Sequence, residues 1–118
     1  MMAPMENITY QKWLSQFRKG YLELCVLVAL RQRKSSYGFE LLQTFENAGL
    51  EINEGTLYPL LNRMQKNGWL TSRWETPVDS GHPRRFYQLS KEGKTLMSAM
   101  LTAYQDHEHT LTQLKELK

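Results

Sequence analysis

Apolar residues recur at helical spacing through residues 13–30, where Leu14, Phe17, Tyr21, Leu24, Cys25 and Val28 fall three or four apart. The second half of this stretch is apolar almost all round, as a centrally buried helix requires. Polar residues 31–36 interrupt it. Tyr37, Leu41, Leu42 and Phe45 then mark a short second helix, with Ser35 or Ser36 as its cap and Gly49 suited to the left-handed residue past its end. A third helix opens near Asn53, and Leu57, Leu60, Leu61 and Met64 follow the i, i+3, i+4, i+7 template before Asn67-Gly68 stops it. Pro59 is the irregular residue. In a helix starting at Glu54 it lies beyond the first turn and deletes a hydrogen bond, which implies a late start or a mild kink.

After Gly68 the period changes to two. Leu70, Ser72 and Trp74 alternate with Thr71, Arg73 and Glu75, and residues 85–89 give a second strand with Phe86 and Tyr87 on opposite faces. Residues 77–83 between them are turn chemistry, longer than a tight hairpin needs, so the loop tip should project. Ser90 caps a last helix to about residue 117, roughly 40 Å long at the usual rise and longer than so small a domain needs. Three helices, a hairpin and a final helix make an α+β, mostly helical winged helix-turn-helix. Residues 1–90 form the winged helix-turn-helix region and residues 91–118 a C-terminal helix, within one compact domain.

A chain of 118 residues leaves room for one domain, and 41% apolar residues place it among globular proteins. A core this small is marginal alone and gains from a partner subunit. The single cysteine, Cys25, lies in an apolar run and reads as a small hydrophobe in a reducing cytoplasm. No signal peptide opens the chain. The longest near-continuous apolar stretch, residues 21–30, is too short for a bilayer and contains Glu23. A cytoplasmic protein without membrane contact is expected.

The net charge of +3 is modest, so placement matters more than size, and the excess falls in residues 1–20 and 71–90. With its leucines inward, the third helix turns Gly55, Tyr58, Pro59, Asn62, Gln65 and Lys66 outward, with Thr56 and Arg63 on the flank. In a helix-turn-helix this element lies in the major groove. Gly55 permits close approach, Thr56 and Tyr58 offer hydroxyls, and Asn62 and Arg63 add donors. On its own the same helix reads more readily as a solvated amphipathic surface, and only the flanking elements reverse that. His82, Arg84 and Arg85 cluster where the loop meets the second strand and reach a minor groove or its phosphates; the alternative is that the arginines guard a sheet edge. Lys12, Arg18 and Lys19 supply a third basic patch.

The segments Lys19-Gly20-Tyr21-Leu22, Ser36-Tyr37-Gly38-Phe39-Glu40-Leu41-Leu42 and Glu54-Gly55-Thr56-Leu57-Tyr58-Pro59-Leu60-Leu61-Asn62-Arg63-Met64 resemble the PadR family of transcriptional regulators. So do Asn67-Gly68-Trp69-Leu70, Ser72-Arg73-Trp74, Gly81-His82-Pro83-Arg84-Arg85-Phe86-Tyr87-Gln88-Leu89-Ser90 and Glu92-Gly93, in family order, across about residues 18–95. The single last helix is similar to the short-form members. The resemblance implies a homodimeric winged-helix repressor of pseudo-palindromic operators, paired through its last helix. It implies DNA contacts at Lys19, Ser36, Tyr37, Gly55, Thr56, Tyr58, Pro59, Arg63, Arg84 and Arg85. The wing departs from shorter versions by an extra Pro-containing turn.

On the last helix Met97, Met100, Tyr104, His107, Leu111, Leu114 and Lys118 fall at alternating three and four spacing, a heptad seam that Leu96, Leu101 and Leu117 widen. His107 reads as a register residue. Neighbouring His109, Asp106 and Glu108 do not complete a metal site, because residues two apart on a helix face different ways. Aromatic and sulfur side chains gather at both ends of the chain: Met5, Tyr10, Trp13 and Phe17, then Met97, Met100 and Tyr104. They pack as core or, if the first and last helices meet at a dimer interface, line a cleft for a flat aromatic effector formed by Trp13, Phe17, Met100 and Tyr104. No phosphate loop, nucleophile elbow or paired carboxylates appear, and no cofactor is implied. The expected protein is a cytoplasmic homodimeric repressor of double-stranded operator DNA. Its rivals are a winged-helix module for protein partners and a non-specific architectural DNA binder, against which the modest charge argues.

Overall fold

The computed structural model describes residues 7–78 and 81–118, so part of the expected loop tip and Met5 lie outside the described residues. Helix α1 (Ile8–Arg33) starts before the apolar stripe does. Asn7 explains the early start, its side chain accepting the N–H groups of Thr9 at 2.8 Å and Tyr10 at 3.4 Å. The helix buries Leu22, Leu24, Val26, Leu27 and Leu30 in its second half and ends at Lys34, which takes a left-handed φ of 69°.

Ser36 and Tyr37 then form a strand, β1, that the alternation did not reveal. It pairs antiparallel with β3 (Arg84–Leu89), Ser36 opposite Tyr87 and Tyr37 opposite Phe86, while β2 (Leu70–Glu75) flanks β3 on its other side. The sheet therefore has three strands in the order β1-β3-β2 rather than two. Neither Ser35 nor Ser36 caps α2 (Gly38–Asn47). Tyr37 holds that place, and the Glu40 carboxylate accepts from the Ser36 hydroxyl at 3.0 Å and the Tyr37 N–H at 3.4 Å. Gly49 takes the expected left-handed φ of 87° past the helix end.

Helix α3 (Glu54–Lys66) is capped by Asn53, which accepts from the Thr56 N–H at 3.0 Å. It starts at Glu54, so Pro59 lies within it and no late start is needed. Leu57, Leu60, Leu61 and Met64 meet Leu27, Leu41 and Tyr87 in one core. The Ser90 side chain caps α4 (Lys91–Lys115), accepting from the Gly93 N–H at 3.0 Å and donating to the Gly68 carbonyl at 2.5 Å. Leu96, Met97, Met100 and Leu101 pack on the core, and every residue beyond Leu101 is exposed. The helix thus runs out of the body. The radius of gyration is 16.9 Å, against about 13.5 Å for a compact chain of this length.

Candidate nucleic-acid interface

The leucine face of α3 is buried, which leaves Gly55, Thr56, Tyr58, Pro59, Asn62, Arg63 and Lys66 exposed, as the apolar stripe requires. Tyr58 lies against α2: a Cβ built at Gly38 would stand 2.3 Å from its ring Cε1. Partial burial, followed by Glu54 and Tyr87, raises the Tyr58 pKa above its ordinary 10.0, with Arg84 opposing. The hydroxyl is therefore a protonated donor at neutral pH. Arg63 stands on the flank facing α1, its Nη2 3.6 Å from Oε2 of Glu23. Such an exposed pair is weak and leaves the guanidinium available to a phosphate. Lys19 and Thr56 line a cleft of about 350 Å³ between α1 and the segment before α3. Arg18 in the same cleft donates to the Glu51 carbonyl, pinning α1 to the turn between α2 and α3.

The two wing arginines separate. Adjacent residues on a strand face opposite ways, and Arg85 turns toward α3. Its Nε donates to the Ser72 hydroxyl at 2.9 Å and its Nη2 to Gln65 Oε1 at 2.8 Å, while that hydroxyl donates to Gln65 at 3.0 Å. The guanidinium also lies 5.4 Å over the Tyr87 ring. Arg85, expected to contact DNA, is thus occupied in bracing the hairpin against α3, and Gln65 is drawn off the outward face with it. Ser36, also expected to contact DNA, is fully buried with its hydroxyl on Glu40.

Arg84 sits 5.3 Å over the Tyr37 ring, and its buried Nε has no hydrogen-bond partner among the described residues. Tyr37, Tyr58, Asn62 and Arg84 converge on one cleft of about 350 Å³ between α3 and the wing. Sequence reasoning missed two further walls of this cleft, Phe39 and Trp74, which are 51% and 69% exposed. The available signal was Trp74's place on the same strand face as Ser72, turned toward α3. His82 is exposed beside the wing.

Along α4, Met97 is buried in its own chain, so it does not present a surface to a partner as the heptad reading expected. The stripe there is wide enough to serve the body first. Met100 and Leu101 are half-buried, and Tyr104, His107, Leu111 and Leu114 are exposed. The His107 Nδ1 lies 2.6 Å from the Ala103 carbonyl, the distance of an N–H donating along the helix. Among the described residues, no group of three His, Cys, Asp or Glu side chains is placed to hold a metal ion.

Trp13 and Tyr104 do not touch within one chain. They lie along a ladder in which Tyr10 stacks on Trp13 at 6.1 Å, Trp13 on Phe17 at 5.4 Å, Phe17 on Tyr21 at 5.6 Å, and Tyr21 meets Tyr104 at 6.4 Å between ring centroids. Beside the ladder, an apolar cleft of about 460 Å³ is lined by Leu24, Cys25, Val28, Phe45, Leu101 and Tyr104. Burial pushes the Cys25 thiol above its ordinary 9.0, with Tyr21 and Arg18 opposing. Among the described residues, no helix is long and apolar enough to cross a membrane.

The model of the transcriptional regulator PadR-like family matches residues 26–99, from the buried half of α1 to the docked turns of α4. The chain belongs to the PadR-like family of transcriptional regulators. This PadR-like chain is 34% identical over 62 residues to the transcriptional regulator Rv3488 of Mycobacterium tuberculosis, covering 52% of this chain and 56% of that protein. It is 27% identical over 90 residues to an uncharacterised protein of Lysinibacillus sphaericus, covering 74% and 81%. A PadR family transcriptional regulator from Eggerthella lenta superposes with a TM-score of 0.81 at 26% identity, covering 98% of this chain and all of the other. A Streptococcus transcriptional regulator does so with 0.78 at 37% identity, covering 86% and 98%. The winged-helix fold and the non-enzymatic reading of the sequence are both borne out by this membership.

Proposed function

We propose that this PadR-like regulator binds operator DNA as a homodimer, represses transcription from it, and is released by a small aromatic ligand. The observation that carries the DNA reading is the joint exposure of Tyr58 and Asn62 on α3 beside the Arg84 cleft, which no carboxylate lines among the described residues. With α3 in the major groove, Asn62 meets base edges while Arg84 of the wing and Lys19 of α1 meet phosphates on either flank. Repression follows where the operator overlaps a promoter. The proposed division is of reading to residues 1–90 and pairing to residues 91–118, in the cytoplasm.

The homodimer rests on the uncovered half of α4, where Tyr104, Leu111 and Leu114 stay 45–57% exposed, with Leu117 just past its end at 76%. An apolar seam of that kind is covered by a matching helix. Two copies then set their α3 helices about 34–36 Å apart, in successive major grooves. The effector reading places a flat aromatic molecule against Trp13, Phe17, Met100 and Tyr104, and release requires that the ligand prefer a helix spacing that misfits DNA.

Selection of bound duplexes from a random pool tests the DNA reading. A recovered duplex bound less tightly by Tyr58→Ala or Arg63→Ala, with affinity falling steeply as salt rises, supports it. Failure to enrich any duplex overturns it in favour of a module for protein partners. Quenching of tryptophan fluorescence by planar cations or phenolic acids tests the effector, and silence across both classes removes it.

A further inference from the structure

Trp74 is the most exposed aromatic ring on the wing, at 69%, and a large apolar ring held out on a hairpin marks a contact surface. It stands across the ladder from Arg85, on the sheet face turned toward α3, and lines the same cleft as Tyr58 and Asn62. Phe39, 51% exposed, stands in the cleft wall contributed by α2. Arg84 is held there over the Tyr37 ring, its buried Nε without a hydrogen-bond partner among the described residues. A cation–π contact of this kind fixes a guanidinium before any ligand arrives.

Among the described residues the charge around Arg84 is one-sided. Glu75 lies opposite it in the ladder, but the Glu75 carboxylate is taken by Arg73 at 2.6 Å. Glu54 acts on Tyr58 without lining the cleft. An orphaned cationic N–H flanked by exposed aromatic rings complements a phosphate with an apolar sugar beside it. An apolar peptide leaves the Arg84 donor unsatisfied, and an acidic peptide leaves Trp74 uncovered.

We infer that this cleft seats one phosphodiester of a DNA backbone, with the Arg84 guanidinium and the Tyr58 hydroxyl donating to phosphate oxygens and Trp74 packed on the adjoining deoxyribose. The inference rests on the DNA-binding reading and adds Trp74 to the contact surface.

The test uses the full chain and a duplex recovered by selection with the wild type. Trp74→Ala should lower affinity about tenfold, with Trp74→Phe restoring most of the loss. Added duplex should shift the tryptophan emission of the wild type and not of Trp74→Phe, in which Trp13 and Trp69 remain. Replacing backbone phosphates one at a time with neutral methylphosphonates should reveal a position that weakens the wild type but not Arg84→Ala. If the wild type binds while Trp74→Ala stays within about twofold of it, or no phosphate position loses its effect in Arg84→Ala, this inference alone is overturned. A wild type that binds no duplex overturns it together with the DNA reading.

Discussion

Tyr58 rests its ring on the bare backbone of Gly38, where a Cβ would stand 2.3 Å from ring Cε1. The pair couples the start of α2 to the exposed face of α3. Gly38→Ala should therefore displace the ring and cost about 1–3 kcal/mol by overpacking. Gly20 is the control, since a Cβ there meets nothing within 4 Å. Gly20→Ala should stabilise α1 by about 0.5–1 kcal/mol. Thermal unfolding of both variants decides, and equal shifts would contradict the contact.

A second glycine faces backbone rather than a side chain. A Cβ at Gly93 would lie 2.1 Å from the Trp69 carbonyl oxygen, which the Ser90 N–H already holds at 3.0 Å. No side chain can swing aside, so Gly93→Ala should cost about 3 kcal/mol or more. Ser90→Ala, which removes only the cap, should cost about 1 kcal/mol. Urea unfolding of the two variants tests this order.

Arg85 and Arg84 should separate in the same way. Arg85→Ala leaves the Gln65 and Ser72 groups with fewer partners and should destabilise the fold by about 1–2 kcal/mol. Arg85→Lys should not rescue it, since an ammonium does not span both acceptors as the guanidinium does. Arg84→Ala should leave the melting temperature nearly unchanged while lowering the salt dependence of duplex binding by about one ion.

Alkaline pH should destabilise the protein. Burial raises Cys25 above 9.0, and Tyr21 is raised above 10.0 first by Cys25 and then by burial; Tyr58 is raised as well. On titration upward the unfolded chain loses these protons first, so the stability is complete below the ordinary values and is lost as pH climbs through the raised ones. Melting temperatures should hold from about pH 7 to 8 and fall above about pH 9. Cys25→Ala should remove the earlier part of that fall.

The seam on α4 gives a direct measurement. Leu111→Asp with Leu114→Asp should halve the solution mass by light scattering and leave the winged body folded, because both side chains lie outside its core. An unchanged mass would place the pairing surface elsewhere.

Much of this fold was legible because its signals are local. Asn53 and Ser90 cap as their side chains allow, and Gly49 and Gly68 take the left-handed turns at the helix ends. The stripe of α3 fixed which residues face out. What escaped depends on distant partners. Two residues carry no alternation, so Ser36 and Tyr37 become a strand only because Tyr87 and Phe86 pair with them. That pairing buries Ser36, which the resemblance implied as a DNA contact. Arg84 and Arg85 were grouped by adjacency, although a period of two already places them on opposite faces. Met97 reads equally as seam or core, and only the docking of α4 on the body decides.

The free run of α4 beyond residue 104 leans on no other described element, so its coil is held by bonds within the helix itself. Fewer than about 15 residues of isolated helix are marginal in water. Helical order in that tail becomes a concentration gauge: ellipticity at 222 nm should sink on dilution toward the point where molecules separate, and a tail that stays wound at any dilution would mean that it needs no companion.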